Sequence, residues 1–384
     1  MGPGSARRKG IALTDRQRIA WLRLIRSDHV GPATFRDLIN HFGSAEAALE
    51  ALPELSRRGG STRAIRVATI ADAEREIETA QRFGARFIGI GEPDYPPALR
   101  QIDAAPPLIA AKGDLSVASF PAVGIVGSRN ASISGAKFAA MMARDIGVAG
   151  YAIVSGLARG IDAAAHRASL DSGTIAAMAG GLDQPYPPEN IDLLHQICTG
   201  RGLAISEMPF GWEPRARDFP RRNRLIAGIA LGVVVIEAAA RSGSLITARL
   251  AGEFGRLVFA VPGSPLDPRC EGTNGLLKDG AAVTTRAQDV LQALAPISEL
   301  DLFSQTEADE PGDETSDRPL APPPNDDERL IIVQALGPTP VEIDDIIRHT
   351  GLPASSVYLV LLELDIAGRL ERHAGGFVSL SMMD

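Results

Sequence analysis

Between residues 122 and 261 short apolar runs recur at positions 122–126, 152–155, 175–179, 204–206, 233–237 and 258–261. None alternates apolar with polar, so each predicts a strand buried on both faces, the habit of parallel sheets covered by helices. Stretches 135–145 and 162–170 between them carry helical spacing. Strand and helix in alternation predict an α/β core, a mostly parallel sheet with helices on both faces. Upstream, Thr14 and Asp15 can cap a helix with Ile19, Leu22 and Ile25 on one side. Residues 30–43 then read as a turn at Gly31 and a helix with Phe35, Leu38 and Ile39 inward, stopped by Gly43. This is a helix-hairpin-helix or SAM-like pattern; its Gly31 turn is either an anion contact or plain packing. Positions 87–90 read as a further short strand.

Past the core, 296–327 is acidic and proline-rich with little periodic apolarity, the composition of a disordered linker. Helical spacing returns at 328–336, 341–349 and 354–367, followed by a hairpin pattern at 369–372 and 377–380. Three helices and a hairpin resemble a winged helix. The expected domains are therefore 10–82 (helical), 83–295 (α/β core), 296–327 (linker) and 328–384 (winged-helix-like).

With 45% hydrophobic residues in 384, the chain supports a sizeable core. No apolar run approaches the roughly 20 residues of a membrane span, and the first residues lack a charged-then-apolar secretory layout. Cys198 and Cys270 lie far apart, which disfavours a disulfide framework or a cysteine metal site. These features predict a cytoplasmic protein with no membrane, cofactor or metal. The net charge of −8 is unevenly placed: residues 1–120 carry +3, 121–295 carry +2 and 296–384 carry −13. An acidic total therefore leaves room for a basic groove on the core.

Candidate chemistry gathers at predicted strand ends, where α/β sheets bind ligands. Gly127, Ser128 and Arg129 follow the first core strand and precede a helix: a small-residue turn, hydroxyl and amide donors, and a cation, together an anion nest. Gly127 and Gly135 do not match a dinucleotide fingerprint or a Walker A loop. Ser155, Gly156 and Arg159 form a second such corner, and Arg241, Ser242, Gly243 and Ser244 a third. Asp162 reads as a helix cap; His166, one turn on, is either its hydrogen-bond partner or a structural core residue. Between Pro214 and Arg224 stand five arginines, Arg215, Arg217, Arg221, Arg222 and Arg224, with Phe219 among them and Asn223 beside the last. Planar guanidinium forks suit phosphate oxygens, and an aromatic ring offers a face to a base. The plain alternatives are a solvated loop with Phe219 capping the core, and an Arg129 paired to a carboxylate.

Order and wording of these blocks, Val123-Gly-Ile-Val-Gly-Ser-Arg-Asn130, Ile153-Val-Ser-Gly-Leu-Ala-Arg-Gly-Ile-Asp162, Asn223-Arg-Leu-Ile-Ala-Gly228, Arg241-Ser-Gly-Ser-Leu-Ile-Thr-Ala248 and Phe259-Ala-Val-Pro-Gly263, resemble the DNA-processing protein A family (DprA, also called Smf). The resemblance spans about residues 95–283 and implies an extended Rossmann core that binds single-stranded DNA without being an enzyme. It also implies a role in natural transformation or recombination, RecA recombinase as a partner loaded onto DNA, and a homodimer through the core. It puts a phosphate at Arg129 and a base at Phe219; where some relatives carry lysine this chain has Ala216, flanked by Arg215 and Arg217. The competing class is the LOG-like phosphoribohydrolases, which split nucleoside monophosphates. Their Pro-Gly-Gly-x-Gly-Thr-x-x-Glu stretch is reduced here to Pro262-Gly-Ser264, without the acid. In the winged-helix-like region the best reader helix, 354–367, carries Glu363 and Asp365 and no basic residue. Phosphate repulsion predicts that this module binds protein or regulates the core.

Overall fold

A computed structural model describes residues 12–299 and 324–381. Most of the stretch read as a linker, positions 300–323, lies outside the described residues. At its edges helix runs further than expected, with one helix reaching Glu299 and the next starting at Asp326. Residues 14–74 pack with 324–381 as one compact unit, and 75–299 as another. The N-terminal helices and the C-terminal module therefore pack against each other within one unit.

The first part of that body is three helices, α1 (Asp15–Arg26), α2 (Pro32–Phe42) and α3 (Ala45–Arg58). Thr14 caps α1 in a capping box with Gln17, and Gly43 ends α2 at φ 76°, a left-handed turn that glycine adopts without strain. Trp21 and Phe35 lock α1 to α2 edge-to-face at 5.2 Å. A further helix, α4 (Ile70–Arg82), precedes the core.

The core is a nine-stranded sheet. Its strands are β1 (Arg86–Gly89), β2 (Leu108–Gly113), β3 (Ala122–Gly127), β4 (Ala152–Ser155), β5 (Thr174–Ala177), β6 (Gly202–Ser206), β7 (Gly232–Ile236), β8 (Leu257–Ala260) and β9 (Ala282–Val283). The helices interspersed are α5 (Ile133–Val148), α6 (Ile161–Ala168), α7 (Ile191–Thr199), α8 (Asp218–Ile229), α9 (Gly243–Glu253), α10 (Glu271–Lys278) and α11 (Ala287–Glu299). Spatial order is β1-β2-β6-β5-β4-β3-β7-β8-β9. All pairs from β6 to β9 are parallel, while β1–β2 and β2–β6 are antiparallel. Alternate residues of one strand serve opposite cores: Val123 and Ile125 pack with Met142 and Ile146 of α5, Ala122 and Val126 with Leu225 and Ile226 of α8. Burial on both faces is why the strands are uninterrupted apolar runs. From β3 the chain winds outward to β6, then returns to lay β7 on the other side of β3. That reversal opens a crevice beyond the carboxyl ends of β3 and β7, the place where such sheets take ligands.

The second part of the other body holds α12 (Asp326–Ala335), α13 (Ile343–Thr350) and α14 (Ala354–Ile366). Strands β10 (Val341–Glu342), β11 (Leu370–Arg372) and β12 (Phe377–Leu380) form a small sheet with β12 in the middle. This is the winged-helix arrangement. No helix among the described residues is long and apolar enough to cross a membrane.

The two readings of His166 resolve toward structure. Its ring is fully buried, Nδ1 sits 2.7 Å from the Thr174 hydroxyl, and Asp162 is bonded elsewhere. Burial, reinforced by the charges of Arg222 and Arg167, pushes His166 down to about 3. The unfolded chain takes up its proton near pH 6.5, the folded chain only near 3, so this contribution to stability is intact above 6.5 and drains away as pH falls toward 3. His166→Asn should therefore flatten the acid limb of core stability by up to about 1.4 kcal/mol per pH unit in that window. Urea unfolding at pH 4, 5, 6 and 7 measures it; equal slopes in parent and variant would refute the assignment.

Candidate nucleic-acid interface

The crevice is built from the ends of three strands. At the end of β3, Gly127 lies against β7 so closely that a Cβ there would sit 1.8 Å from the Ile236 carbonyl oxygen. Only glycine permits that approach, and it delivers Ser128 and the exposed Arg129 to the mouth. The Ser128 hydroxyl accepts from the Asn130 amide and shapes the turn. The N-terminus of α5, expected to help cradle an anion, is partly engaged already. Ser132 caps the helix through Gly135, and the Glu237 carboxylate accepts from both the amide and the hydroxyl of Ser132. Glu237 holds this position from a left-handed backbone, φ 50°, a strained conformation for a side chain of its size. An internal carboxylate thus occupies the positive end of α5.

Helix α9 differs. Ser242 caps it by accepting from the Ser244 amide, the two hydroxyls lie 2.7 Å apart, and its first turn carries no acidic residue. Asn223 donates to the Gly243 carbonyl at 3.1 Å and fixes the loop. Residues 241–244, with Ile246 and Thr247, line the cavity, so this helix N-terminus faces it.

The floor belongs to Arg222. Its guanidinium is 6% exposed, donates to the Ala177 carbonyl at 2.9 Å, and lies where a Cβ on Gly156 would be 1.7 Å away. Asp162 does not cap its own helix as expected. Gly160 holds the cap position, and the Asp162 carboxylate accepts from the Gly156 and Ala158 amides. Burial pushes Asp162 up while Arg222 pulls the other way; burial likewise pushes Arg222 down to about 10, which leaves it charged at neutral pH. Ser155 is buried with its hydroxyl donated to the Ile125 carbonyl, so it supports the corner from beneath rather than facing ligand.

Above this floor sit two rings. Arg129 lies 5.2 Å over the Phe219 ring, and Tyr186 meets Phe219 edge-to-face at 5.5 Å. Tyr186 is 49% exposed, unusual for so large a ring. Sequence reasoning missed it, because it stands in the loop after β5 with no basic neighbour; an aromatic flanked by prolines beyond a strand's carboxyl end was its one signal. The hollow lined by Gly127, Ser128, Arg129, Phe219, Arg222 and the 241–244 turn has a volume of about 620 Å³. A smaller hollow beside it is lined by Arg129, Gly156, Arg159, Tyr186, Phe219 and Arg222. Asp162 is the one carboxylate lining either.

The arginine-rich segment divides by role. Asp218 organises its start by accepting from the Trp212 indole and the Arg215 amide, and Arg215 stacks on Trp212 at 4.9 Å. Arg215 and Arg217 are exposed but line neither hollow. Arg159 pairs loosely with Glu189 at 3.7 Å, both mostly solvated, a contact worth little. Arg221 and Arg224 both turn to Glu207, whose carboxylate is 6% exposed. Arg224 is 12% exposed and also donates to the Ala104 carbonyl. Its expected phosphate contact gives way to a structural one: a buried carboxylate outbids solvent for the nearest fork.

Comparison with known proteins gives consistent matches. A family model described as DNA recombination-mediator protein A matches residues 86–295. Models of a DprA-like N-terminal HHH domain and a DprA winged helix domain match 15–79 and 316–376. The chain is 34% identical to Protein Smf of Synechocystis, over 92% of this chain and 96% of that one. It is 47% identical to DNA processing protein DprA of Streptococcus pneumoniae, over 51% of this chain and 70% of that one. The solved structure of the Streptococcus pneumoniae protein superposes with a TM-score of 0.59 at 35% identity, covering 73% of this chain and 98% of that one. DNA processing protein A of Helicobacter pylori, solved for its single-stranded DNA binding mode, gives 0.51 at 28% identity, covering 56% and 96%.

The division of roles among the arginines is measurable without any ligand. Arg224→Ala strands the Glu207 carboxylate in a buried site and should cost about 3–5 kcal/mol of core stability, less what Arg221 recovers. Arg129→Ala, at an exposed position, should stay within about 0.5 kcal/mol of the parent. Guanidinium denaturation reads both; comparable losses from the two would show that Arg129 is structural.

Proposed function

Because the chain belongs to the DNA recombination-mediator protein A family, DprA, we propose that it binds single-stranded DNA in the crevice between β3 and β7. One observation carries this reading: a cavity large enough for a base, with two aromatic rings and an unpaired guanidinium at its mouth. Among the described residues no carboxylate pairs with Arg129, so its fork is free for a phosphate. The N-terminus of α9, with Ser242 and Ser244, suits a second phosphate along the strand. The ring of Phe219, flanked by Tyr186, supplies a stacking face for any base, which makes recognition tolerant of sequence. Arg222 adds fixed positive charge from below. The single carboxylate lining the cavity is tied to two backbone amides, and Glu237 is tied to Ser132, an arrangement that favours holding a strand over hydrolysing one.

The role proposed with it is DNA processing in transformation or recombination, with RecA recombinase receiving the bound strand and a homodimer formed through the core. Light scattering of the chain alone and mixed with RecA addresses both. A species of about twice 40.5 kDa and a heavier mixed complex are expected. A sole monomer, or no shift with RecA, would remove the respective partner.

Charge and stacking separate in a salt series. Arg129→Ala should weaken all strands alike and flatten the slope of log affinity against log salt by about 0.7, one phosphate contact on a single strand. Phe219→Leu keeps apolar volume but loses the ring; it should cost about 1–3 kcal/mol of affinity with the slope nearly unchanged. Fluorescence anisotropy on an oligonucleotide from low to moderate salt reads both. Parent-like binding by Phe219→Leu, with thermal stability retained, would leave the ring a mere cap on the core.

A further inference from the structure

Helix α14 is the third helix of the winged-helix module, the element that in such modules enters a DNA groove. Here it is buried nearly all round, and the pattern of burial has two stripes. Val357, Val360, Leu361 and Leu364 pack in the module's own core with Ile332, Ile346 and Val378. Leu359, Leu362, Glu363 and Ile366 recur at the same helical spacing two residues on, so they lie on the opposite face, and all are buried although none belongs to that core. The helix packs on that side against α2 and α3.

The contact is specific as well as apolar. Thr34 in the first turn of α2 donates to the Asp365 carboxylate at 2.8 Å, a pair 331 positions apart in sequence. Arg372 bridges the same Asp365 and Asp37 of α2, both at 2.8 Å. Arg369 donates to the Gly59 carbonyl at 2.9 Å. Gly59, at the end of α3, approaches so closely that a Cβ would fall 1.9 Å from the Glu363 carbonyl oxygen. Glu363 itself, 1% exposed, is neutralised by a two-pronged bond from Arg329 of α12. These groups sit where a reader helix would present donors to DNA.

We propose that the winged-helix module is an intramolecular clasp: α14 uses its outer face to recognise α2 and α3 of the same chain, and each side covers the other's nucleic-acid-facing surface. Residues 14–74 and 324–381 then open and close together.

Amide hydrogen exchange on the full-length protein tests the clasp without reference to DNA. Asp37, partly exposed on α2, pairs with Arg372, so Asp37→Lys sets two cations against each other. It should speed exchange across 354–372 by at least about fivefold, a substitution at one end of the chain read out at the other. Leu362→Asp should speed exchange in 15–58 and in 354–366 together, by about a hundredfold or more, while 122–260 stays at the parent rate. Unchanged exchange in 354–372 for Asp37→Lys would overturn the proposal. So would protection retained across 15–58 when Leu362→Asp has opened α14. Because the outer face of α14 is covered in the parent, affinity for a single-stranded oligonucleotide should hold or rise in Asp37→Lys; a loss of about tenfold or more would show that the closed unit itself contacts DNA and would overturn the covering role.

Discussion

Arg222 has almost no access to water, and removing a guanidinium from water carries a penalty of several kcal/mol unless its surroundings are built to receive it. The core is built that way. The Ala177 carbonyl at the end of β5 takes one proton, the Asp162 carboxylate opposes the charge, and the missing side chain of Gly156 makes the space. Asp162 in turn gathers the Gly156 and Ala158 amides, so the loop after β4 is shaped by the same charge pair. One buried cation therefore joins α8, β4 and β5 at the crevice. The exposed part of the site, Phe219 and Arg129, rests on a helix whose next turn is anchored to the sheet. A strand-binding surface gains from this, because pre-ordered groups lose little freedom on binding.

The same economy explains why the anion chemistry is asymmetric. The N-termini of α5 and α9, which follow β3 and β7, both carry a positive end. Glu237 closes the one at α5, which fixes the Ser128–Ser132 turn and therefore the direction in which Arg129 points. The first turn of α9 carries no acidic residue of its own. The phosphate contacts proposed above therefore fall at the 242–244 turn and Arg129 rather than at α5. The carboxylate works here as a shape-giving residue, and its left-handed backbone is the strain that placing it requires.

Much of this was legible in the chain. The six parallel strands read from apolar runs match observed elements to within two residues, since burial on both faces leaves no room for polar interruption. Strand β2 was missed because it follows two prolines and carries two alanines, a lysine and a glycine among its six residues, all with weak β preference. Strand β9 was missed because two exposed residues carry no pattern. At the site, Gly127, Ser128, Arg129 and the 241–244 turn were legible because strand ends impose small residues there. What sequence does not show is which arginine meets a carboxylate. Arg129 and Arg224 look alike in the chain, and Glu207, which separates their roles, stands at the end of a different strand. Tyr186 stayed hidden for the same reason: its partner Phe219 is a neighbour only in space.

Helix α14 shows how a familiar element can change its use without changing its fold. A helix that reads DNA keeps one apolar face and exposes a basic one. This helix has two apolar faces, and the charges between them point to arginines of its own unit rather than outward. Burying Glu363 and Asp365 is tolerable only where Arg329, Arg372 and Thr34 meet them, so the pairs select one docking geometry more than they add stability. The acidic balance of the chain's last segment then has a physical sense. Its charges are partly neutralised within the unit, while among the described residues no ion pair engages Arg129 or Arg241, which both line the β3–β7 cavity.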